Sequence, residues 1–289
     1  MTDDTEGAEP LDHAEPTVLI TGATSGVGRA TALALAHRGA RLVLACRSEQ
    51  RTRPVLDELR GLSPHGDATF LPLDLGDFDS VRACADAFLA SGRPLHVLVN
   101  NAGVAGVRGL TASGFELAFG VNHMGHFLLS RLLLPRLRES SPARVVTVSS
   151  ESHYQADGIP WELVRRPTRS FTGMREYAVS KLANVLFTQE LARRTRDSAV
   201  TAAALHPGIV ASDIWRRVPR PVRPLITWFM LSPEDGARTP VWCATASEPT
   251  TMSGGFFDRC APRRPSAAAT AELGAELWGR SEAWTNAWM

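Results

Sequence analysis

Short apolar runs alternate along the chain with segments in which apolar residues recur at helical spacing. The runs predict strands at residues 17–21 and 41–46, a strand ending near Leu73, and strands at 95–99, 144–149 and 200–205. The segments between them predict helices at residues 26–38, 54–62, 80–90, 122–137 and 174–196. Apolar strands that alternate with helices are typical of a parallel sheet covered on both sides. The pattern therefore predicts an α/β fold: a single domain with a doubly wound parallel sheet flanked by helices on both faces.

Three segments lie outside this alternation. Residues 1–16 contain acidic side chains and prolines but no lysine or arginine. This composition predicts a disordered acidic leader and is the reverse of a signal peptide. Residues 209–232 are rich in proline, arginine and tryptophan, and residues 261–289 form a C-terminal tail with a candidate helix at 270–280. We assign residues 17–260 to the domain because no break in composition divides them.

The composition excludes several classes of function. A net charge of +1 and an apolar fraction of 44% fit a globular protein without the overall charge that attracts nucleic acid or anionic membranes. We expect no membrane span, since no apolar stretch reaches the roughly eighteen residues that one needs, and a cytoplasmic location. His123 and His126 lack a third ligand nearby, so no metal site is predicted. The cysteines show no metal-binding spacing and are expected to be buried thiols.

A glycine cluster follows the first predicted strand and opens the first predicted helix. It reads Thr21-Gly22-Ala23-Thr24-Ser25-Gly26-Val27-Gly28. Glycines allow a tight turn and a close approach of the backbone to a pyrophosphate, to which the helix N-terminus presents its N–H groups. An ordinary tight turn is the alternative, but the strand–turn–helix context favours a dinucleotide site.

The end of the second predicted strand distinguishes the two nicotinamide cofactors. An acidic residue about twenty positions after the glycines would bind the ribose 2′-hydroxyl of NAD, whereas an arginine accommodates the 2′-phosphate of NADP. Arg47 stands nineteen residues after Gly28, and no carboxylate occurs between Arg47 and Glu49. Arg29 is a second candidate cation. Either arginine could be an ordinary surface residue, but the pattern favours NADP(H).

Lysine occurs once in the chain, at Lys181, four positions after Tyr177. The other tyrosine is Tyr154. Positions i and i+4 lie on one face of a helix, so the phenol and the ammonium would be neighbours. A nearby cation lowers the tyrosine pKa and makes the phenol a proton donor or acceptor nearer neutral pH. An accidental helix pair is the alternative interpretation of this spacing alone.

These motifs resemble, in their order along the chain, those of the classical short-chain dehydrogenases/reductases. The glycine cluster matches the family's TGxxxGxG motif, and Asn100-Asn101-Ala102-Gly103 matches its NNAG element. Four segments are similar to the retinol dehydrogenase-like and WW-domain oxidoreductase-like branch: residues 177–191 of the predicted helix, residues 122–127, His206-Pro207-Gly208 and residues 253–257. Bacterial ketoreductases of lipophilic secondary metabolites are similar too. The resemblance covers about residues 17–260 and implies a Rossmann fold.

The resemblance also implies roles for individual residues. Ser150, rather than Ser149, would orient the substrate, Tyr177 would transfer the proton and Lys181 would hold the cofactor ribose. Asn122 would help to hold a water in the proton relay and completes the predicted catalytic set. The predicted cofactor-binding residues are Gly22, Thr24, Ser25, Gly26, Val27, Gly28, Arg29, Arg47, Asp74, Leu75, Asn101, Ala102, Gly103, Tyr177, Lys181, Pro207, Gly208 and Val210. The predicted substrate-binding residues are Ser150, Tyr177, Ile214, Trp215 and Trp228, the last three in a predicted substrate lid at 209–232.

We therefore predict an NADP(H)-dependent oxidoreductase that interconverts a lipophilic ketone or aldehyde and its alcohol, with ketoreductase activity favoured. A catalytically silent NADP(H)-binding sensor or interaction protein on the same fold is the alternative, and the retained Tyr–Lys pair argues against it. The glycine spacing disfavours an epimerase or dehydratase. The predicted partner is a lipophilic small molecule, not nucleic acid, and a homo-oligomer is compatible with this prediction.

Overall fold

A largely parallel sheet forms the centre of the computed structural model, which describes residues 15–62, 67–210 and 231–289. The strands are β1 Thr17–Thr21, β2 Arg41–Cys46, β3 Ala68–Pro72, β4 Val97–Asn100, β5 Ala143–Val148, β6 Val200–His206, β7 Phe256–Asp258 and β8 Ala261–Pro262. The α-helices are α1 Gly26–Ala36, α2 Glu49–Leu62, α3 Phe78–Ala90, α4 Leu117–Phe119, α5 Gly125–Glu139, α6 Met174–Thr195, α7 Pro233–Thr245, α8 Glu248–Thr251 and α9 Ala271–Thr285. A π-helical turn, Gly120–Met124, joins α4 to α5, and 3₁₀ turns occupy Glu151–Gln155 and Asn286–Trp288.

The strands lie in the order β3-β2-β1-β4-β5-β6-β7-β8, and all neighbours are parallel except β7 and β8. The strand order reverses between β1 and β4. In open sheets of this kind, ligands bind outside the carboxyl ends of the strands at such a reversal. The loops that follow Thr21, Asn100 and Val148 all leave this edge. The glycine cluster and the predicted catalytic residues therefore lie at the same edge of the sheet.

Successive strand residues point to opposite faces of the sheet, and both faces are buried. Val18 and Ile20 belong to one apolar cluster with residues of α1, α2 and α7. Leu19, between them, belongs to a second cluster with residues of α3, α5, α6 and α9. A strand covered on both sides has no polar face, which explains the continuous apolar runs. The prediction of a single doubly wound α/β domain is confirmed.

Some elements differ from the predicted ones for local reasons. α2 begins at Glu49 rather than at Pro54, because Ser48 accepts hydrogen bonds from the N–H groups of Arg51 (3.3 Å) and Thr52 (3.1 Å) and caps the helix upstream of the proline. The apolar pattern does not predict α7 or β7. α7 starts from a polar cap, where the Ser232 hydroxyl accepts from an N–H in the first turn, and β7 is too short to give an apolar run.

The tail that the sequence leaves outside the domain packs against its core. Residues 261–262 extend the sheet as β8, and α9 lies along α6. Leu277 and Trp278 of α9 are buried in the same cluster as α6. The Trp278 ring stacks on Phe187 of α6, with centroids 5.9 Å apart and planes within 3°. Hence α9 covers one side of the helix that carries Tyr177 and Lys181.

The predicted acidic leader, residues 1–16, extends beyond the described residues. Only Glu15 and Pro16 of the predicted leader are described, and Glu15 forms an ion pair with Arg41 at the start of β2. In the ranges 15–62, 67–210 and 231–289, none of the helices combines the length and the apolar character needed to cross a membrane.

Replacing Trp278 with Ala should lower the free energy of unfolding by about 3–5 kcal/mol, because it removes a large buried ring and leaves a cavity. Chemical denaturation measures the change. Phe171→Ala is the control: this side chain is 90% exposed, and its loss should change stability by less than about 0.5 kcal/mol. Equal losses in the two variants would show that α9 does not stabilise the core.

Candidate active site

Tyr177, Lys181 and Ser150 meet at the carboxyl edge of the sheet. Tyr177 and Lys181 lie one turn apart on α6, with Lys181 Nζ 5.6 Å from the centre of the Tyr177 ring. Lys181 Nζ donates a hydrogen bond to the Val148 carbonyl at the end of β5 (2.9 Å). The Ser150 side chain lies close enough to the Tyr177 phenol to lower its pKa. The two helix residues are only 9% and 3% exposed, so this cluster is largely shielded from water.

The adjacent serines at the end of β5 have different environments. The Ser149 hydroxyl is buried and donates to the Lys181 carbonyl (2.8 Å), which fastens α6 to β5. Ser150 is partly exposed and accepts from the Ser152 N–H (3.1 Å), capping the 3₁₀ turn Glu151–Gln155. This arrangement leaves Ser150, and not Ser149, beside the Tyr177 phenol.

Asn122 lies in the π-helical turn, fully buried, and its amide connects two parts of the site. Its Nδ2 donates to the Val104 carbonyl (3.0 Å) and to Ser180 Oγ (2.9 Å), and its Oδ1 accepts from the Val104 N–H (2.8 Å). A Cβ atom added to Gly103 would lie 3.3 Å from Asn122 Oδ1 and 3.6 Å from Lys181 Nζ. Asn122 and Lys181 therefore both lie close to Gly103 of the NNAG loop.

Burial determines the ionisation of Tyr177 and Lys181. It lowers the pKa of Lys181 from 10.5 to about 7. Burial also raises the pKa of the Tyr177 phenol, and the nearby Ser150 side chain opposes that rise. The expected lowering of the Tyr177 pKa by Lys181 is thus not observed. Desolvation disfavours both charged forms, and a lysine with a pKa near 7 carries only part of its charge at neutral pH.

The glycine cluster has the close backbone packing that a pyrophosphate site requires. Gly22 and Gly26 have φ of +69° and +57°. A Cβ on Gly22 would lie 2.7 Å from the Ala102 Cβ, and one on Gly28 would lie 2.3 Å from Asn101 Nδ2. That Nδ2 donates to the Thr21 and Gly22 carbonyls (2.8 and 3.2 Å). α1 has no acidic side chain in its first turn, so its N-terminus suits an anion.

Arg47 and Arg29 differ in their partners. Arg47 is exposed just beyond β2. It lies near the glycine cluster, because the Ala45 carbonyl, two residues earlier, accepts a hydrogen bond from the Gly22 N–H (3.0 Å). Its side chain has no ion pair or hydrogen bond with the residues that the structure describes. Arg29 instead forms an ion pair with Glu58 of α2. Of these two cations, Arg47 is the better placed to meet a phosphate.

The remaining predicted cofactor residues border the same edge. Asp74 is exposed and its Oδ1 accepts from the Gly76 N–H (2.9 Å), while Leu75 is buried. Gly208, at φ +86°, follows Pro207 after β6. A Cβ added to Gly236 of α7 would meet Val210 Cγ2 at 2.4 Å and Val27 Cγ2 at 3.1 Å. The Pro207–Val210 loop thus lies against the glycine cluster, whose Thr24, Ser25, Gly26 and Val27 are partly exposed.

Comparisons with known proteins agree with this geometry. The sequence profile of the short chain dehydrogenase family (adh_short) matches residues 16–160. Dehydrogenase/reductase SDR family member 13 of Bos taurus is 43% identical over 272 residues, which is 92% of this chain and 72% of the relative. The chain belongs to the short-chain dehydrogenase/reductase family.

Within this family the chain is of the retinol dehydrogenase-like branch. Human retinol dehydrogenase 11 is 42% identical to it over 265 residues, 90% of this chain and 83% of the relative. Among solved structures, a protein from Mycobacterium paratuberculosis is 36% identical, with a TM-score of 0.75 over 94% of this chain and 93% of the other. The resemblance inferred from the motifs is therefore confirmed.

The predicted substrate lid at residues 209–232 is described only at its two ends. Ile214, Trp215 and Trp228, with most of the predicted lid, lie outside the described residues. At the two ends of that segment, the Leu231 N–H donates to the Ile209 carbonyl (2.8 Å). Both side chains are exposed, by 40% and 56%. They form an apolar border next to Gly208.

His153 supports the site but is not identified by the sequence motifs. Its buried ring donates through Nδ1 to the Ser150 carbonyl (2.7 Å) and accepts through Nε2 from the Ser266 N–H (3.1 Å). The turn that carries Ser150 is thereby held to the segment before α9. In the sequence, the spacing of three residues between Ser150 and His153 is only a weak signal of their contact. The contact with Ser266, 113 positions away, leaves no signal in the sequence.

The sole lysine allows its ionisation to be measured directly. Protein labelled with [13Cε]lysine and carrying no lysine in a tag should give one lysine Cε resonance, since Lys181 is the only source. Its midpoint in a pH titration of the folded protein should lie near 7, because burial disfavours the ammonium. The control is the same protein in denaturant, with a midpoint near 10.5. A folded-state midpoint near 10.5 would show that Lys181 is solvated.

Proposed function

We propose that this chain is an NADP(H)-dependent ketoreductase that interconverts a lipophilic ketone or aldehyde and its alcohol. Hydride transfer between an alcohol and a carbonyl follows from membership of the family and its retinol dehydrogenase-like branch. The observation that carries the finer proposal is the placement of Tyr177 beside the buried lysine Lys181, with the Ser150 side chain next to the phenol.

The nicotinamide, when bound, would supply the hydride to the carbonyl carbon. Ser150 would donate a hydrogen bond to the carbonyl oxygen and hold it beside the phenol. Tyr177 would donate its proton to the oxygen as negative charge develops there. The phenol, whose pKa is raised by burial, is protonated at neutral pH, as a proton donor must be. Lys181 would hold the nicotinamide ribose.

The preference for NADP(H) rests on Arg47. A guanidinium at the end of β2 can pair with a 2′-phosphate through charge-assisted hydrogen bonds. The next carboxylate along the chain, Glu49, lies in the first turn of α2, where its Oε1 is 3.7 Å from Arg53 Nη2. Arg47 is thus the charged side chain at the position that discriminates between the two nucleotides.

Two observations support a lipophilic substrate. Human retinol dehydrogenase 11, 42% identical to this chain, is named for a lipophilic alcohol. In this chain the exposed Ile209 and Leu231 border the loop after β6, and the Phe171 ring, 90% exposed, lies shortly before the start of α6. Exposed apolar side chains in the segments that lead into α6 and out of β6 fit an apolar ligand better than a polar one.

Tyr177→Phe should lower kcat by roughly two to four orders of magnitude, the range expected for a positioned proton donor, while NADPH affinity is largely kept. NADPH oxidation with aromatic ketones and lipophilic aldehydes measures the rate. Tyr154→Phe is the matched control, because the Tyr154 hydroxyl donates to the Arg264 carbonyl, away from Lys181, and its loss should be mild. A Tyr177→Phe enzyme with most of its activity would reject the mechanism, and NADPH binding without turnover in the unmodified protein would favour a sensor.

Arg47→Asp should reduce or reverse the preference for NADPH over NADH, which we expect to be at least about tenfold in the unmodified protein. Fluorescence titration with each nucleotide measures both dissociation constants. Arg38→Asp makes the same change of charge just beyond the C-terminal end of α1, where Arg38 donates to the Ala34 carbonyl, and should leave the ratio unchanged. Equal affinities of the unmodified protein for the two nucleotides would contradict the assignment of Arg47.

A further inference from the structure

A buried histidine connects the glycine cluster to the π-helical turn that holds Asn122. His126, in the first turn of α5, is 1% exposed. Its Nε2 lies 2.8 Å from Thr21 Oγ1 at the end of β1, and its Nδ1 lies 2.9 Å from the Asn122 carbonyl oxygen. Neither the sequence motifs nor the proposed chemistry gives this side chain a role.

The partners of His126 determine which ring nitrogen carries the proton. The Asn122 carbonyl can only accept, so Nδ1 must donate to it. Thr21 Oγ1 already accepts from the N–H groups of Asn101 (3.0 Å) and Ala102 (2.9 Å), so its own hydrogen points to Nε2. The Val99 carbonyl is 3.5 Å from the same hydroxyl, too far to compete. Burial lowers the pKa of His126 to about 4, which keeps this neutral tautomer at physiological pH.

The two ends of this bridge belong to different halves of the site. Thr21 is the first residue of the glycine cluster, and its hydroxyl fixes the backbone of the NNAG loop by accepting from the N–H groups of Asn101 and Ala102. Asn122 holds Ser180 of α6, whose hydroxyl in turn donates to the Tyr177 carbonyl (2.7 Å). The bridge therefore runs from the nucleotide end of β1, through one imidazole, to the helix turn that carries Tyr177 and Lys181.

We propose that His126 is a positioning residue for proton transfer, setting Asn122 and α6 relative to the glycine cluster through its two hydrogen bonds. This inference rests on the proposed function of Tyr177 and Lys181. Small displacements of a positioned acid can reduce rates by about a hundredfold without a change in its chemistry. His126 touches no reacting atom, and its effect is exerted through Thr21 and Asn122.

His123 provides a matched control on the adjoining turn. It is also 1% exposed, three residues before His126, and its Nε2 lies 3.2 Å from Ser281 Oγ on α9. Its ring packs among Phe119, Phe127 and Phe187, away from the glycine cluster. Replacement of either histidine disturbs a buried ring and its hydrogen bonds, but only one of them bridges the two halves of the site.

The experiment compares Phe, Asn and Gln variants at both positions. His126→Phe keeps the ring volume and removes both hydrogen bonds, so kcat should fall by about tenfold to a hundredfold, with a smaller change in KM. His126→Asn can restore the donor to the Asn122 carbonyl and His126→Gln the acceptor for Thr21, so each should recover part of the loss. The His123 variants should lose stability in denaturant without a comparable loss of kcat.

The lysine resonance separates failure of this inference from failure of the proposed function. In [13Cε]lysine-labelled protein without nucleotide, His126→Phe should shift the Lys181 resonance or its titration midpoint, whereas His123→Phe should not. If His126→Phe does not fold, the Asn and Gln variants carry the same comparison. An unmodified protein that reduces no carbonyl would refute the proposed function, and the resonance would still test the bridge. Equal effects of the two histidine series on kcat and on this resonance would overturn the role of His126.

Discussion

Burial of the Lys181 ammonium is the constraint on which the rest of the site depends. A buried cation is unfavourable unless polar groups meet it, and here the Val148 carbonyl at the end of β5 does so. That contact requires α6 to lie tightly along the sheet, where Ser149 binds the Lys181 carbonyl. The same desolvation lowers the lysine pKa and raises that of Tyr177. One packing arrangement thus sets both the position and the ionisation of Tyr177 and Lys181.

Such a helix must be covered on the side that faces away from the sheet, and the C-terminal residues provide this cover. Trp278 of α9 stacks on Phe187 of α6, and Arg194 of α6 lies 4.6 Å from the centre of the same tryptophan ring. The segment before α9 also holds the turn of Ser150 through His153. Residues that look peripheral along the chain therefore support both halves of the Ser150–Tyr177 pair. A change in α9 would reach the site through packing rather than through contact with a substrate.

The nucleotide side is built by close backbone contact rather than by charge. Gly22 and Gly28 leave no space for a side chain against Ala102 and Asn101, so the first turn of α1 is locked to the NNAG loop. Charged side chains lie at the edge of this region, where the two arginines Arg29 and Arg47 have different surroundings. Arg29 is already paired with Glu58, whereas Arg47 is exposed just beyond β2, and for this reason we propose Arg47 as the residue that selects the nucleotide. Sequence position alone does not distinguish the two.

The sequence by itself determined the doubly wound fold and the order of the motifs, because these depend on local periodicity and on short spacings. The i, i+4 relation of Tyr177 and Lys181 follows from helix geometry alone. The direction of the Tyr177 pKa shift, the different environments of Ser149 and Ser150, and the bridge through His126 depend on burial and on partners distant in sequence. Thr21 and His126, 105 positions apart, leave no local signal of their contact. Only the tertiary structure decided these features, because desolvation and long-range hydrogen bonds arise when the elements pack.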